Sequence, residues 1–310
     1  MHVVVSGSRG LVGSALVPLL TAGGYRVTRL VRRTAAKPDE AVWDPVRDAV
    51  DASRLDGADG VVHLAGENIA AGRWTSARKA EIRRSRVDGT RTLCEALARL
   101  PHPPKILVSA SAIGLYGDRG AEVLTEKSAP GTGFLADVCR EWEAATEPAS
   151  RAGIRVVNLR FGMILSPRGG ALRRLLLPFR LGMGGRIGSG EQFVSWIVLD
   201  DAIGLLHHVL YEETVRGPVN AVAPAPVTNA EFARTLARIL RRPTLLPVPA
   251  FAARLAFGEM ADALLLASAR VIPARLQAWG YRFRFPELEA ALRHTLGRVE
   301  TRHTGNQAVW

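Results

Sequence analysis

VVVSGSRGLVG, residues 3–13, decides how the rest of the chain is read. A short apolar run, Val3–Ser6, leads into three glycines spaced three apart, Gly7, Gly10 and Gly13. A helical pattern with apolar positions at Leu11, Val12, Ala15, Leu16, Leu19 and Leu20 follows, and Gly23–Gly24 stops it. Gly7 suits a sharp strand-to-helix turn. Gly10 lets backbone approach a pyrophosphate, and Gly13 lets the helix pack close on a sheet. The turn residues Ser8, Arg9, Leu11 and Val12 would then lie along a dinucleotide, with its phosphates on free N–H groups at the positive helix end. A second strand, Arg26–Val31, completes the unit that such a glycine motif requires.

The end of that second strand selects the dinucleotide. A carboxylate there would bind the ribose 2′-hydroxyl of NAD. This chain has Val31, Arg32 and Arg33, with no acid before Asp39. Arginines grip a 2′-phosphate that a carboxylate would repel, and Arg9 is close enough to join them. The expected cofactor is NADP(H).

Outward from the turn, strands alternate with helices. Val42–Trp43, Gly60–Leu64, Lys105–Ala110 and Ile154–Arg160 read as strands. Thr75–Leu100 and Phe134–Arg151 read as helices. That alternation predicts an α/β, Rossmann-type, doubly wound parallel sheet. Beyond residue 163 the character changes: glycines punctuate 169–190. A helix over Asp200–Leu210, a strand over Pro218–Ala221, a helix over Asn229–Leu240 and helical residues 250–267 follow. The expected division is a cofactor domain over 1–162, with 196–222 returning to it. A smaller substrate lobe takes 163–195 and 223–300, and 301–310 form a loose tail.

Composition narrows the function classes. Of 310 residues, 47% are hydrophobic and 23% charged, a globular balance with no run long enough to span a membrane and no secretory signal. Two cysteines, Cys94 and Cys139, exclude a disulfide framework. The net charge of +12 is spread along the chain rather than gathered in a basic tail, which argues against a nucleic acid partner. The expected setting is cytoplasmic, as a monomer or homodimer acting on an unidentified small molecule, with no membrane, nucleic acid or metal.

The segments GSRGLVGSALVPLL, HLAGENIAAGRW, RKAEIRRSRVDGTRTL, SASAIGLYGDRG, GFLADVCREWE and GGRIGSGEQFVSWIVLDDAIGLL carry a family likeness. On them the chain resembles atypical extended short-chain dehydrogenase/reductases of the epimerase-family branch, nucleoside-diphosphate-sugar epimerase-like proteins with a C-terminal segment of unknown function. The resemblance implies that Leu64, Ala65 and Gly66 form a turn under the cofactor and that Asp201 orders the junction with the lobe. It also implies a catalytic set of serine, tyrosine, lysine and asparagine. The serine is Ser109, otherwise placed at the cofactor, or Ser111, which aligns better. The tyrosine and lysine are absent: one register puts Phe134 and Val138 in their places, another Leu135 and Cys139. Arg86 stands at the asparagine position. Tyr116 is then the candidate proton donor above the cleft, favouring reduction near neutrality, or simply a shaper of its turn. Glu67, Asn68 and Arg86 are candidate substrate-pocket residues. Two functions follow: an NADP(H)-dependent oxidoreductase or epimerase-like enzyme with an atypical site, or a non-catalytic NADP(H)-binding sensor.

Overall fold

The structure, a computed structural model, describes residues 1–32, 34–47, 49–244 and 247–298. Arg33 and the 301–310 tail lie outside the described residues.

Eight strands form one sheet: β1 (His2–Ser6), β2 (Arg26–Val31), β3 (Glu40–Asp44), β4 (Ala49–Val50), β5 (Gly60–His63), β6 (Ile106–Ala112), β7 (Arg155–Phe161) and β8 (Gly217–Ala221). Their order is β8-β7-β6-β5-β1-β2-β3-β4. Every pairing is parallel except β3 with β4. The chain winds one way from β1 through β3, then returns past β1 to β5 and winds the other way. The crevice at the carboxyl ends of β1 and β5 is therefore the topological switch point, where open α/β sheets bind ligands.

Alternation along the strands builds a core on each face. Val3, Val5, Val62, Val108, Val157 and Leu159 meet Leu16 and Leu20 of α1 (Gly13–Ala22) and Leu205, Leu206 and Val209 of α6 (Leu199–Tyr211). Val4, Leu30, Val61 and Leu107 meet Leu93, Cys94 and Leu97 of α2 (Ser76–Ala98). Most of these side chains are wholly buried, each contributing about 1.5–3 kcal/mol. A separate core joins α5 (Gly170–Arg180) and α7 (Asn229–Leu240) through Leu172, Leu176, Phe179, Phe232 and Leu236. Asp201, buried in the first turn of α6, accepts from the backbone N–H groups of Arg284 (2.9 Å) and Phe285 (3.0 Å), tying that segment to the sheet.

Several expected elements differ. The helix expected over 134–151 is two, α3 (Phe134–Ala144) and α4 (Glu147–Arg151), because Pro148 has no N–H to continue the first and suits the start of the second. The helix expected over 250–267 breaks at Gly258 (φ 62°), leaving α8 (Ala250–Phe257), one turn at Glu259–Ala261 and a π-helical turn at Asp262–Leu266. α1 begins at Gly13 rather than Leu11, since residues 7–12 are used by the glycine turn.

Candidate functional site

The glycine turn is packed so tightly that side chains are excluded. A Cβ on Gly13 would stand 2.3 Å from the Gly7 carbonyl oxygen, and one on Gly7 (φ 64°) 2.7–2.8 Å from the backbone of Leu64 and Ala65. α1 and the β5 turn therefore approach as backbone on backbone. Gly10, exposed, closes the turn by donating to the Gly7 carbonyl (2.9 Å). Leu11 packs against the lobe at Gly169 and Gly170.

Beside the turn is a recess of about 240 Å³ whose lining includes Ser8, Arg9, Ser14, Arg29, Lys37 and Glu40. Arg9 is 75% exposed and 3.9 Å from Glu40, whose carboxylate is buried and accepts from the Ala36 N–H (3.0 Å). Arg29 pairs with Asp39. Arg32 is exposed just past the end of β2, where the sequence carries no acid before Asp39. Gly7, Gly10 and Gly13 with Arg9 and Arg32 fit a dinucleotide carrying a 2′-phosphate.

Ser6 holds the turn after β5. Its Oγ accepts from the N–H groups of Leu64 (3.0 Å) and Ala65 (3.2 Å), so its own hydrogen goes to His63 Nδ1 (2.7 Å). His63 Nε2 then donates to Thr90 Oγ1 (3.0 Å), which also accepts from Trp142 Nε1 (2.9 Å). Burial pushes the His63 imidazole down to about 4, keeping it neutral. Sequence reasoning missed this relay; its one signal was a polar residue ending each of two apolar strands.

At the end of β6, Ser111 donates to Glu143 Oε1 (2.7 Å) on α3. Arg160 of β7 grips both oxygens of that carboxylate, Nε to Oε1 and Nη2 to Oε2, each at 2.7 Å. Arg160 Nη1 also donates to the Tyr116 hydroxyl (2.9 Å), which donates to Asn220 Oδ1 (2.7 Å). Tyr116 is 0% exposed, and burial pushes its phenol up. It does not lie above the cleft as expected: its hydrogen is already given to Asn220, and it braces β7 against β8. Ser109 is wholly buried between β5 and β7; Ser111, 3% exposed, stands nearer the carboxyl end of β6. Of the two registers on α3, the structure turns Leu135 and Cys139 toward Gly114 after β6. Burial pushes the Cys139 thiol up to about 12, so it stays protonated.

Glu67, Asn68 and Arg86 gather above the β5 turn. Arg78 of α2 pairs with Glu67 (2.8 Å), holding its carboxyl below the usual range. Asn68 is folded into its own loop: its Oδ1 accepts from the Ala70 N–H (2.9 Å) and its carbonyl from Arg78 (2.6 Å). Arg86 Nη2 donates to the Glu67 carbonyl (3.0 Å), and its guanidinium lies 5.1 Å over the Trp142 ring. Residues of the lobe close over this loop. Arg73 donates to the Ala256 carbonyl (3.2 Å), Lys79 pairs with Glu259 (2.5 Å), and Met260 packs with Trp74 and Ile82. Among the described residues no group of three or more His, Cys, Asp and Glu could hold a metal. Nor is any helix long and apolar enough to cross a membrane.

Residues 3–221 match the model of the NAD dependent epimerase/dehydratase family, and 248–295 match a domain of unknown function, DUF1731. An epimerase family protein of Mycobacterium bovis is 44% identical over 296 residues, covering 96% of this chain and 98% of the relative. The human epimerase family protein SDR39U1 is 40% identical over 296 residues, covering 94% and 99%. Its isoform 2, crystallised with NADPH, superposes with a TM-score of 0.89 at 38% identity, covering 96% of this chain and all of that one. A nucleoside-diphosphate sugar epimerase from Corynebacterium glutamicum gives a TM-score of 0.79 at 42% identity, covering 96% of this chain and 58% of that one.

Proposed function

The chain belongs to the NAD dependent epimerase/dehydratase family, and from that membership we propose that it is an NADP(H)-dependent oxidoreductase or epimerase-like enzyme acting on a small molecule. The observation that carries the cofactor choice is the pairing of a tightly packed glycine turn with Arg9 and Arg32, and a β2 that is not followed directly by an acid. The NADPH in the human relative supports it. When bound, the nicotinamide would give or take a hydride. Gly7, Gly10 and Gly13 would hold the pyrophosphate against the start of α1. The turn at Leu64, Ala65 and Gly66, fixed by Ser6, would support the nicotinamide end. Ser111 gives its hydrogen to Glu143, so toward the cleft it offers lone pairs and would take a hydrogen bond from a substrate hydroxyl. That polarity suits orienting a substrate hydroxyl better than donating a hydrogen bond to a carbonyl.

The test is titration of the purified chain with NADPH and NADH. NADPH should bind more tightly, and replacing Arg9 and Arg32 by Ala should erase most of the preference. Each replacement is worth roughly tenfold once solvent screening of exposed charges is allowed for. Equal affinity for both nucleotides in the unmutated chain would defeat the proposal. A second reading, a non-catalytic NADP(H)-binding sensor, is favoured by α3, where a protonated Cys139 faces the site and no tyrosine or lysine does. Tight NADPH binding with no turnover across a panel of alcohols and carbonyls would select it.

A further inference from the structure

We propose that Arg86 is the binding group for a carboxylate on the substrate, so that the small molecule taken by this cleft is an acid. This rests on the reading of the cleft beside Gly66 as the place where substrate meets cofactor.

Arg86 is a cation without a counter-ion. Among the described residues no carboxylate lies within ion-pair distance of it. Glu67, whose backbone carbonyl accepts from Arg86, has its carboxylate taken by Arg78. Toward the sheet its neighbour is Cys139, a neutral thiol. Burial lowers the proton affinity of the guanidinium, the mark of a charge removed from water without full compensation. Arg160 and Arg155 are also held inside this half of the molecule, and burial lowers Arg155 in the same way, but both have their donors taken up. Arg160 grips Glu143, and Arg155 donates to the carbonyls of Val209, Leu210 and Val215 at the end of α6.

The geometry selects the anion. Of five guanidinium N–H donors, two have partners among the described residues, the carbonyls of Ile82 (3.3 Å) and Glu67 (3.0 Å). The plane is covered by the Trp142 ring on one side, and a Cβ on Gly66 would stand 3.4 Å from Cζ, so the turn's backbone lies close as well. What remains is an edge, which matches a planar carboxylate with two parallel hydrogen bonds. The cofactor's phosphates have their own site at Gly7–Gly13, so they do not account for this cation. Cys139 lies within electrostatic reach of both Arg86 and Glu143, the carboxylate that takes the Ser111 hydrogen, so Arg86 and Ser111 belong to one neighbourhood. A short hydroxy acid, or the matching oxo acid, meets both groups.

The experiment uses the full chain saturated with NADPH. Malonate, oxalate and the neutral malonamide are titrated by calorimetry. Malonate or oxalate should bind and malonamide should not. Arg86→Gln should weaken carboxylate binding by at least about tenfold while leaving NADPH affinity intact, which also reports that the variant is folded. Arg86→Lys, which keeps charge but loses the planar fork, should fall between. Arg84→Gln, exposed on the same helix, should change nothing. The proposal is overturned if no carboxylate binds, if malonamide binds as well as malonate, or if Arg86→Gln binds carboxylates like the parent. Should NADPH itself fail to bind, the cofactor reading falls. The same titration without nucleotide still decides the role of Arg86.

Discussion

Replacing Glu143 by Gln should unsettle the molecule more than a one-atom change suggests. Glu143 accepts three hydrogen bonds, one from Ser111 and two from Arg160, all at 2.7 Å. The side chains of Arg160 and Glu143 are 8% and 15% exposed. Glutamine turns an NH₂ toward the guanidinium, donor against donor, and leaves Arg160 charged and buried without its partner. Breaking one member of a buried pair costs about 3–5 kcal/mol. For 310 residues at ~2.1 cal/mol/K each, the unfolding entropy is about 0.65 kcal/mol/K, so the melting temperature should fall by about 5–8 °C. Arg160→Met alone should cost a similar amount. The double variant Glu143→Leu/Arg160→Met should lose far less than the sum, because no orphan charge remains. Calorimetric melts of the parent, the single variants and the double variant measure the coupling. A loss below about 1 kcal/mol for Glu143→Gln, or losses that simply add, would refute the claim that this pair is buried and interdependent.

Tyr116→Phe should destabilise by about 1–3 kcal/mol, since it leaves Asn220 Oδ1 and one Arg160 donor without their shared partner, while NADPH affinity is unchanged. A hundredfold drop in turnover without a drop in melting temperature would instead make Tyr116 an acid. His63 is held near 4 in the folded chain against 6.5 when exposed, so the unfolded chain takes the proton first. The stability from neutral His63 is complete above pH 6.5 and is lost as pH falls toward 4, about 3 kcal/mol in all. His63→Asn should flatten the stability profile across that window by one proton, and an unchanged slope would contradict the burial. Gly13→Ala puts a methyl 2.3 Å from the Gly7 carbonyl oxygen, backbone that cannot swing aside. It should weaken NADPH binding at least tenfold in a fluorescence titration, because either α1 or the turn must move.

The glycine turn, the strand at Arg26–Val31 and the helix at Asn229–Leu240 were legible because their signals are local. Three glycines sit between a strand and a helix, β2 ends on the buried pair Leu30 and Val31, and Thr228 with Glu231 makes a capping box. The family, the parallel sheet and the absence of an acid after β2 follow from such short-range patterns. The partner of Ser111, the register of α3 and the depth of Tyr116 were not legible. Ser111 lies 32 positions from Glu143, and Tyr116 lies 104 from Asn220. Ser6 lies 57 from His63. No spacing rule links such residues. They become partners because parallel crossovers carry the ends of β1, β5, β6, β7 and β8 to one rim of the sheet. The sequence by itself determined where a dinucleotide would lie, since a turn's backbone freedom is a property of its own residues. Only the tertiary structure decided which charges find a carboxylate among the described residues, as Arg160 does, and which, like Arg86, meet carbonyls and a ring, since neutralisation depends on what other strands and helices bring within 3 Å.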